Sequence, residues 1–307
     1  MGQDHERIRT RLGRVGAWTF AFDARPWGSV EADARAIESL GYSALWVPEG
    51  GGSRDVTSHL ALLLAATDDI AVCSGIANIT ARQPDVLQAA AVTLADAFGD
   101  RSVLGVGVGH EYSTERRGLD WGGPLTRMRS YLDRMDDVTW LPAPRVQPQR
   151  LLAALGDGML RLSAERALGA HSYFVPVEHT AHAREVLGPE PVLAVELTAV
   201  FATDPIEARR IARAWTSGYL ELPNYANNWR RLGYEDDVAD GGSDRLVDAG
   251  VAWGDAQTIA QRVRAHLAAG ADHVCVQVVS DDESDPGIPQ LRELAPLVHA
   301  VDDAAST

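Results

Sequence analysis

Lysine is missing altogether: the 28 basic positions among 307 residues are all arginine. Schiff-base aldol chemistry and pyridoxal phosphate attachment need a lysine amine, and the phosphate loops of nucleotide hydrolases and kinases need a lysine on the phosphates. These classes are therefore excluded. The absence itself reads as compositional, since arginine and alanine share GC-rich codons. Cysteine is nearly as scarce: Cys73 and Cys275 each sit inside an apolar run, as buried thiols do, and neither suggests a disulfide or a metal site. No apolar run reaches the roughly 18 residues of a membrane helix, and the amino terminus MGQDHERIRTRLGR has no hydrophobic segment behind it. No membrane partner is expected, and the chain reads as cytoplasmic. Neither a G-x-S-x-G elbow nor a cysteine nucleophile motif occurs, so hydrolase chemistry of those kinds has no support.

What is present is a globular composition, 46% hydrophobic and 23% charged, and residues 1–307 read as a single domain. With 43 acids against 28 arginines the formal charge is −15, which disfavours nucleic acid and anionic membranes and leaves a small molecule as the expected partner.

Short apolar, β-branched segments alternate with helical patterns. The expected strands are Leu12–Phe20, Ala44–Pro48, Ile70–Ile79, Ser102–His110, Leu151–Leu155, Ser172–Val177, Val192–Phe201 and His273–Ser280, most of them apolar on both faces as buried parallel strands are. Between them lie helical patterns such as Ser29–Leu40, Pro84–Phe98, Pro124–Val138, Met159–Leu168, Ile206–Tyr219 and Asp255–Ala268, with Ile288–Ala300 last and a frayed tail after Val301. Eight strands with intervening helices predict an α/β protein, a TIM (β/α)8 barrel, with a doubly wound open sheet as the alternative. Residues 223–254, polar and rich in Gly and aromatics, read as a partly helical insertion before the last strand, too short to bury its own core.

In such a barrel chemistry collects at the carboxyl ends of the strands. Polar residues fall there: Glu49, Asn78, Arg82, His110, Glu111, His179 and, within strand seven, Glu196. LGVGVGHE at 104–111 fails as a dinucleotide fingerprint, because its sixth position is His110 and no helix begins at once. Its alternating glycines instead strip side chains from one strand face, for a flat ligand or for another backbone. LGDGML at 155–160 passes from strand through a glycine turn into a helix, which leaves backbone N–H groups for an anion, or is a plain turn. Asp157 would repel a phosphate unless it turns away to cap a helix beginning near Met159. His110 titrates near neutrality and can serve as acid or base. His179 and His182 share an H-x-x-H spacing, but no further ligand completes a metal site.

ALWVPEGG at 44–51, SGIANITARQPDVLQAAA at 74–91, LGVGVGH at 104–110, LGDGMLRLSAERALGAHSYFVPVEHT at 155–180 and GADHVCVQ at 270–277 together resemble the luciferase-like monooxygenase superfamily, in its coenzyme F420-dependent oxidoreductase branch. The resemblance spans nearly the whole chain in the same motif order. It implies a barrel holding a deazaflavin or flavin at the strands' carboxyl ends. It also implies a non-prolyl cis peptide behind the cofactor ring, at Gly75–Ile76 or at the preceding Ser74–Gly75. Carried over residue by residue, Glu49 contacts the ring, Asn78 lies just past the bulge, and Val108 and Gly109 line the cofactor. Gly156, Asp157, Gly158 and Met159 receive its phosphate. Two departures matter: relatives acting on a sugar phosphate have a histidine where this chain has Gly50 and a glutamate where it has His110, so glucose 6-phosphate is not the expected substrate. A proton role then passes to His110.

The resemblance thus implies hydride transfer between F420 and a small organic substrate, with His110 as acid or base and Glu49 orienting ring or substrate. An FMN-dependent monooxygenase on the same barrel and a catalytically silent flavin-binding paralogue are the alternatives. The anionic tail of F420 would need arginines, of which Arg54 and Arg82 lie just beyond strand ends. Tyr225, Trp229 and Trp253 of the insertion are read as part of a lid or as a packed excursion or subunit contact. Relatives dimerise through barrel helices, so a homodimer is expected.

Overall fold

Apolar residues on both faces make a strand that only a covered parallel sheet can bury, and the strands here are so arranged. The computed structural model describes residues 2–50, 52, 54–140 and 144–304, the last six without their side chains. Its strands are β1 (Val15–Trp18), β2 (Ala44–Val47), β3 (Ala71–Ser74), β4 (Ala77–Asn78), β5 (Ser102–Gly107), β6 (Gln149–Ala153), β7 (Gly169–Ser172), β8 (Val192–Val200), β9 (Val251–Trp253) and β10 (His273–Val278). Among the described residues all pairings are parallel, in the order β10-β1-β2-β3-β5-β6-β7-β8, and β10 pairs with β8 to close an eight-position TIM barrel. β4 continues β3 past a cis Gly75–Ile76 bond and pairs with β5 through Ala77↔Val106 and Asn78↔Gly107. β9 pairs with β8 at Thr198–Val200, beyond the stretch Val192–Val195 that β7 covers.

Two apolar clusters divide the labour. Ile37, Leu60, Leu94, Val195 and Val274 belong to the larger one, between barrel and helices. A smaller one fills the barrel with Trp18, Trp46, Cys73, Val103, Leu151, Ala194 and Cys275. Helix Gly2–Leu12 inserts the fully buried Ile8 and Leu12 into that second cluster, so the charged amino terminus is anchored to the core.

The sequence reading misplaces the sixth strand. SYFVPV at 172–177 has the aromatic and β-branched content of a strand, yet β7 is the weaker GAHS segment at 169–172. Phe174 turns the backbone into the left-handed region (φ 52°), and Pro176 precedes helix Val177–Leu187. The first strand likewise begins at Val15, not Leu12, and the last helix runs to Ala304, past Val301. Residues 223–254 form helix Pro223–Arg231, two 3₁₀ turns, helix Asp244–Gly250 and β9.

Candidate active site

The carboxyl ends of the strands enclose a cavity of about 600 Å³. Its floor is set by β5. An added Cβ at Gly105 would collide with the Ser74 carbonyl oxygen, at Gly107 with the Ile76 side chain, and at Gly109, where φ is 71°, with the Asn78 amide. The alternating glycines therefore let the bulge of β3 and β4 press against β5, and the bulge in turn lines the cavity through Gly75, Ile76 and Asn78. Of the two readings of the glycine run, the structure shows the close approach of another backbone. Gly107→Ala should cost about 1–3 kcal/mol by overpacking against Ile76 and displace the bulge. Urea denaturation with ligand titration checks this, and an unchanged midpoint would refute it.

Glu49 ends β2 and is nearly buried, its side chain 7% exposed. Its carboxylate accepts hydrogen bonds from both Arg82 terminal nitrogens and from the Asn78 N–H, at 2.9 Å from Arg82 Nη1 and 2.7 Å from Asn78 N. Arg82 also donates to Asp55 at 2.9 Å. Burial works against the Arg82 charge, and the Glu49 and Asp55 carboxylates more than restore it. Arg54 is equally committed: its guanidinium donates to the carbonyls of Phe22 and Arg25.

At the end of β6, Gly156 caps helix Asp157–Arg166, where Met159 and Leu160 donate to the Gly156 carbonyl. The N–H groups of Asp157 and Gly158 precede that turn and have no intrahelical acceptor. Asp157 starts the helix rather than capping one from Met159, and its carboxylate turns outward to His182 (2.8 Å) and Arg161 (3.1 Å). His179 donates its Nε2–H to the Leu155 carbonyl at 2.8 Å and so braces the turn. Arg231, from helix Pro223–Arg231, places its guanidinium 3.5 Å from where a Gly156 Cβ would stand. A cleft with a glycine-stripped floor at one end and free N–H groups with an arginine at the other fits a flat ring carrying a phosphate.

His110 heads the short helix Glu111–Glu115 and lines the cavity with its ring parallel to Tyr112 at 5.9 Å. Burial lowers its pKa, opposed by a hydrogen bond to Asn224, so the ring is neutral at pH 7. Of the residues named from sequence, Glu49, Gly75, Ile76, Asn78, Val108, Gly109, His110, Gly156 and Met159 line the cavity, whereas Arg82, Asp157 and Gly158 stand behind it. Tyr225 lines it too. Trp229 is wholly buried against Phe174 and Tyr234, and Trp253 is engaged by Asp248 and Arg209.

Sequence reasoning misses the aromatic side of the cavity: Trp18, Phe20, Tyr173 and Tyr219, and with them Arg231. The signal for Trp18 and Phe20 is the alternation of strand one, whose inward positions run 16, 18, 20. Tyr173 is hidden by the misplaced sixth strand.

A family model described as luciferase-like monooxygenase matches residues 14–273. A Mycobacterium tuberculosis protein named, provisionally, a coenzyme F420-dependent oxidoreductase is 30% identical over 127 residues, 40% of this chain and 36% of that one. The matches span about a third of the length of the curated relatives. Among solved structures, an F420-dependent secondary alcohol dehydrogenase in complex with an F420-acetone adduct superposes with a TM-score of 0.73 at 14% identity, covering 93% of this chain and 98% of that one. The FMN complex of the oxygenating constituent of 3,6-diketocamphane monooxygenase from Pseudomonas putida superposes with a TM-score of 0.68 at 19% identity, with the same coverage. At these identities the superpositions establish the fold. No helix among the described residues is long and apolar enough to cross a membrane.

Proposed function

This chain belongs to the luciferase-like monooxygenase family, and from that premise we propose that it is an oxidoreductase that binds coenzyme F420 and passes hydride between it and a small organic substrate. The observation that carries the reading is the pairing, at one barrel end, of the bulge-backed cleft with the open helix start at Gly156. The M. tuberculosis relative favours the deazaflavin over FMN.

When bound, a deazaflavin supplies hydride transfer and, carrying carbon where flavin has its reactive nitrogen, reacts poorly with oxygen. The chain's own residues do the rest. Gly75, Ile76, Gly107 and Gly109 offer a flat seat for the ring, and the helix start at Gly156 with Arg231 holds the phosphate. Glu49, fixed by Arg82, orients ring or substrate. His110 takes up or returns the substrate proton at its unprotonated ring nitrogen.

Titration with F420 and with FMN, followed by tryptophan fluorescence, tests this. Tight F420 binding supports the proposal, FMN-only binding replaces it with a flavin monooxygenase, and binding of neither leaves a silent paralogue. His110→Ala should lower turnover about 100-fold; unchanged turnover from pH 5 to 9 would remove His110 from the mechanism. Asn224→Ala removes the hydrogen bond that raises the His110 pKa, so the acid limb of the rate profile should move to lower pH.

A further inference from the structure

Glu196, on β8, stands behind the cavity rather than lining it, and it is 1% exposed. Its alternation with Ala194, which belongs to the cluster filling the barrel, turns its side chain inward. No ion pair to it forms among the described residues. Its carboxylate instead accepts two hydrogen bonds, Oε1 from the Thr198 hydroxyl at 2.7 Å and Oε2 from the Phe174 N–H at 3.1 Å. An acid buried this deeply without a cation is costly to keep.

What it holds is a turn. Phe174, at φ 52°, has a backbone conformation that a bulky side chain disfavours, and such a residue persists only where its surroundings over-determine it. β7 ends at Ser172, and the turn just past it sends two rings in different directions. Tyr173 lines the cavity, with its ring 5.3 Å from Trp18 and 5.3 Å from Tyr219 and its hydroxyl donating to Gln277 at 2.8 Å. Phe174 is fully buried and packs into the insertion, 5.3 Å from Trp229 and 6.1 Å from Tyr225. Tyr225 in turn lines the cavity. One backbone turn therefore sets the aromatic wall both directly and through the insertion. Neither hydrogen bond of Glu196 reaches β3, β4 or β5, which carry the bulge on the other flank.

We propose that Glu196 is a positioning residue for the cavity: by accepting the Phe174 N–H it holds the left-handed turn that presents Tyr173, and through Phe174 also Tyr225, as the wall a substrate meets. That a substrate meets this wall rests on the reading of the cavity as the hydride-transfer site; that Glu196 sets the wall does not. Two variants separate the acceptor from the bulk. Glu196→Met removes the acceptor at similar length. Glu196→Gln keeps it, because the amide oxygen can accept from Phe174 while the amide nitrogen donates to the Thr198 hydroxyl. Toluene, an uncharged ring without hydrogen-bonding groups, is titrated into the full chain by calorimetry, and F420 is titrated separately. Glu196→Met should weaken toluene about tenfold, the cost of re-forming a turn whose buried N–H has lost its acceptor. The near-UV circular dichroism of the ring wall should fall with it, while the far-UV signal and F420 affinity stay unchanged. Glu196→Gln should restore both toluene binding and the near-UV signal. A merely structural role would weaken toluene and F420 together, or give Met and Gln the same loss. Either result overturns the proposal, as does an unaltered protein that binds no toluene. Should Glu196→Met fail to fold, amide exchange supplies the test: the Phe174 N–H should be protected like the barrel strands in the unaltered protein and in Glu196→Gln, and fast exchange there would overturn the proposal. If neither cofactor binds yet toluene still distinguishes Met from Gln, the redox reading fails and this one stands.

Discussion

Lowering the pH from 7 to 5 should cost this protein roughly 7 kcal/mol of stability, because five histidines are folded into places where they cannot carry charge. His59, His171, His179, His266 and His273 are each at most 2% exposed. Burial pushes His171 and His266 down to about 3, and His59, His179 and His273 to about 4. A base whose folded pKa is depressed contributes stability that is fully present above its unfolded pKa near 6.5 and is lost as pH falls towards the folded value. At pH 5 the unfolded chain binds nearly one more proton at each of the five. Glu196 acts in the opposite sense. Burial raises its carboxyl to about 7, against hydrogen bonds from Thr198 and the Phe174 N–H. Its stabilising proton is fully present below the unfolded value near 4.5 and is lost as pH rises through 7. One such group offsets about 2 kcal/mol of the roughly 9 that the five histidines forfeit, so the acid loss wins. Domains of this kind carry about 5–15 kcal/mol in total, and the urea midpoint should therefore collapse between pH 6 and 5. Equal midpoints at pH 7 and 5 would show that these imidazoles are not held neutral. Glu196→Gln should flatten the alkaline side of the profile and leave the acid collapse in place.

Those histidines also mark the limit of what the sequence discloses. The barrel was legible because buried parallel strands are apolar on both faces, and Ala44–Val47 or Val192–Val200 admit few other readings. So was the turn at Gly156, since glycine between a strand and a helix has a local signature. Long-range packing left no such mark. Nothing near Glu49 in sequence announces that Arg82, 33 residues on, will clasp it. Nor could spacing reveal that Tyr173, Tyr219 and Gln277, from three distant segments, would share protons. His171, which nothing in the sequence singles out, stacks in the barrel on Trp46 at 4.5 Å. His110 was found because it follows a strand end, a local criterion. Its partner Asn224 lies in the insertion, where composition signalled only a loop-rich excursion.

Arg82→Leu should destabilise the protein by about 3–5 kcal/mol, the range for stranding one partner of a buried ion pair. The side chains of Arg82 and Glu49 are only 11% and 7% exposed, so the carboxylate left behind would keep little beyond the Asn78 N–H. The Asp55 contact cannot account for such a loss: that carboxylate is half exposed, and pairs of that kind are worth about 0–1 kcal/mol. The double variant Glu49→Leu with Arg82→Leu should recover most of the loss, since a buried pair replaced by apolar groups is often neutral. Function separates from stability in the same set of variants. Glu49 ties the end of β2 to Asn78 just past the bulge, so the pair holds the bulge that lines the cavity. Arg82→Leu should then weaken F420 and its tail-less core by the same factor and leave the salt dependence of binding unchanged. A loss confined to the tailed cofactor and erased by salt would instead place Arg82 on the tail, and the Glu49 contact would be secondary. A double-mutant cycle by urea denaturation, run beside both titrations, decides between a clamp on the floor and a hand on the ligand.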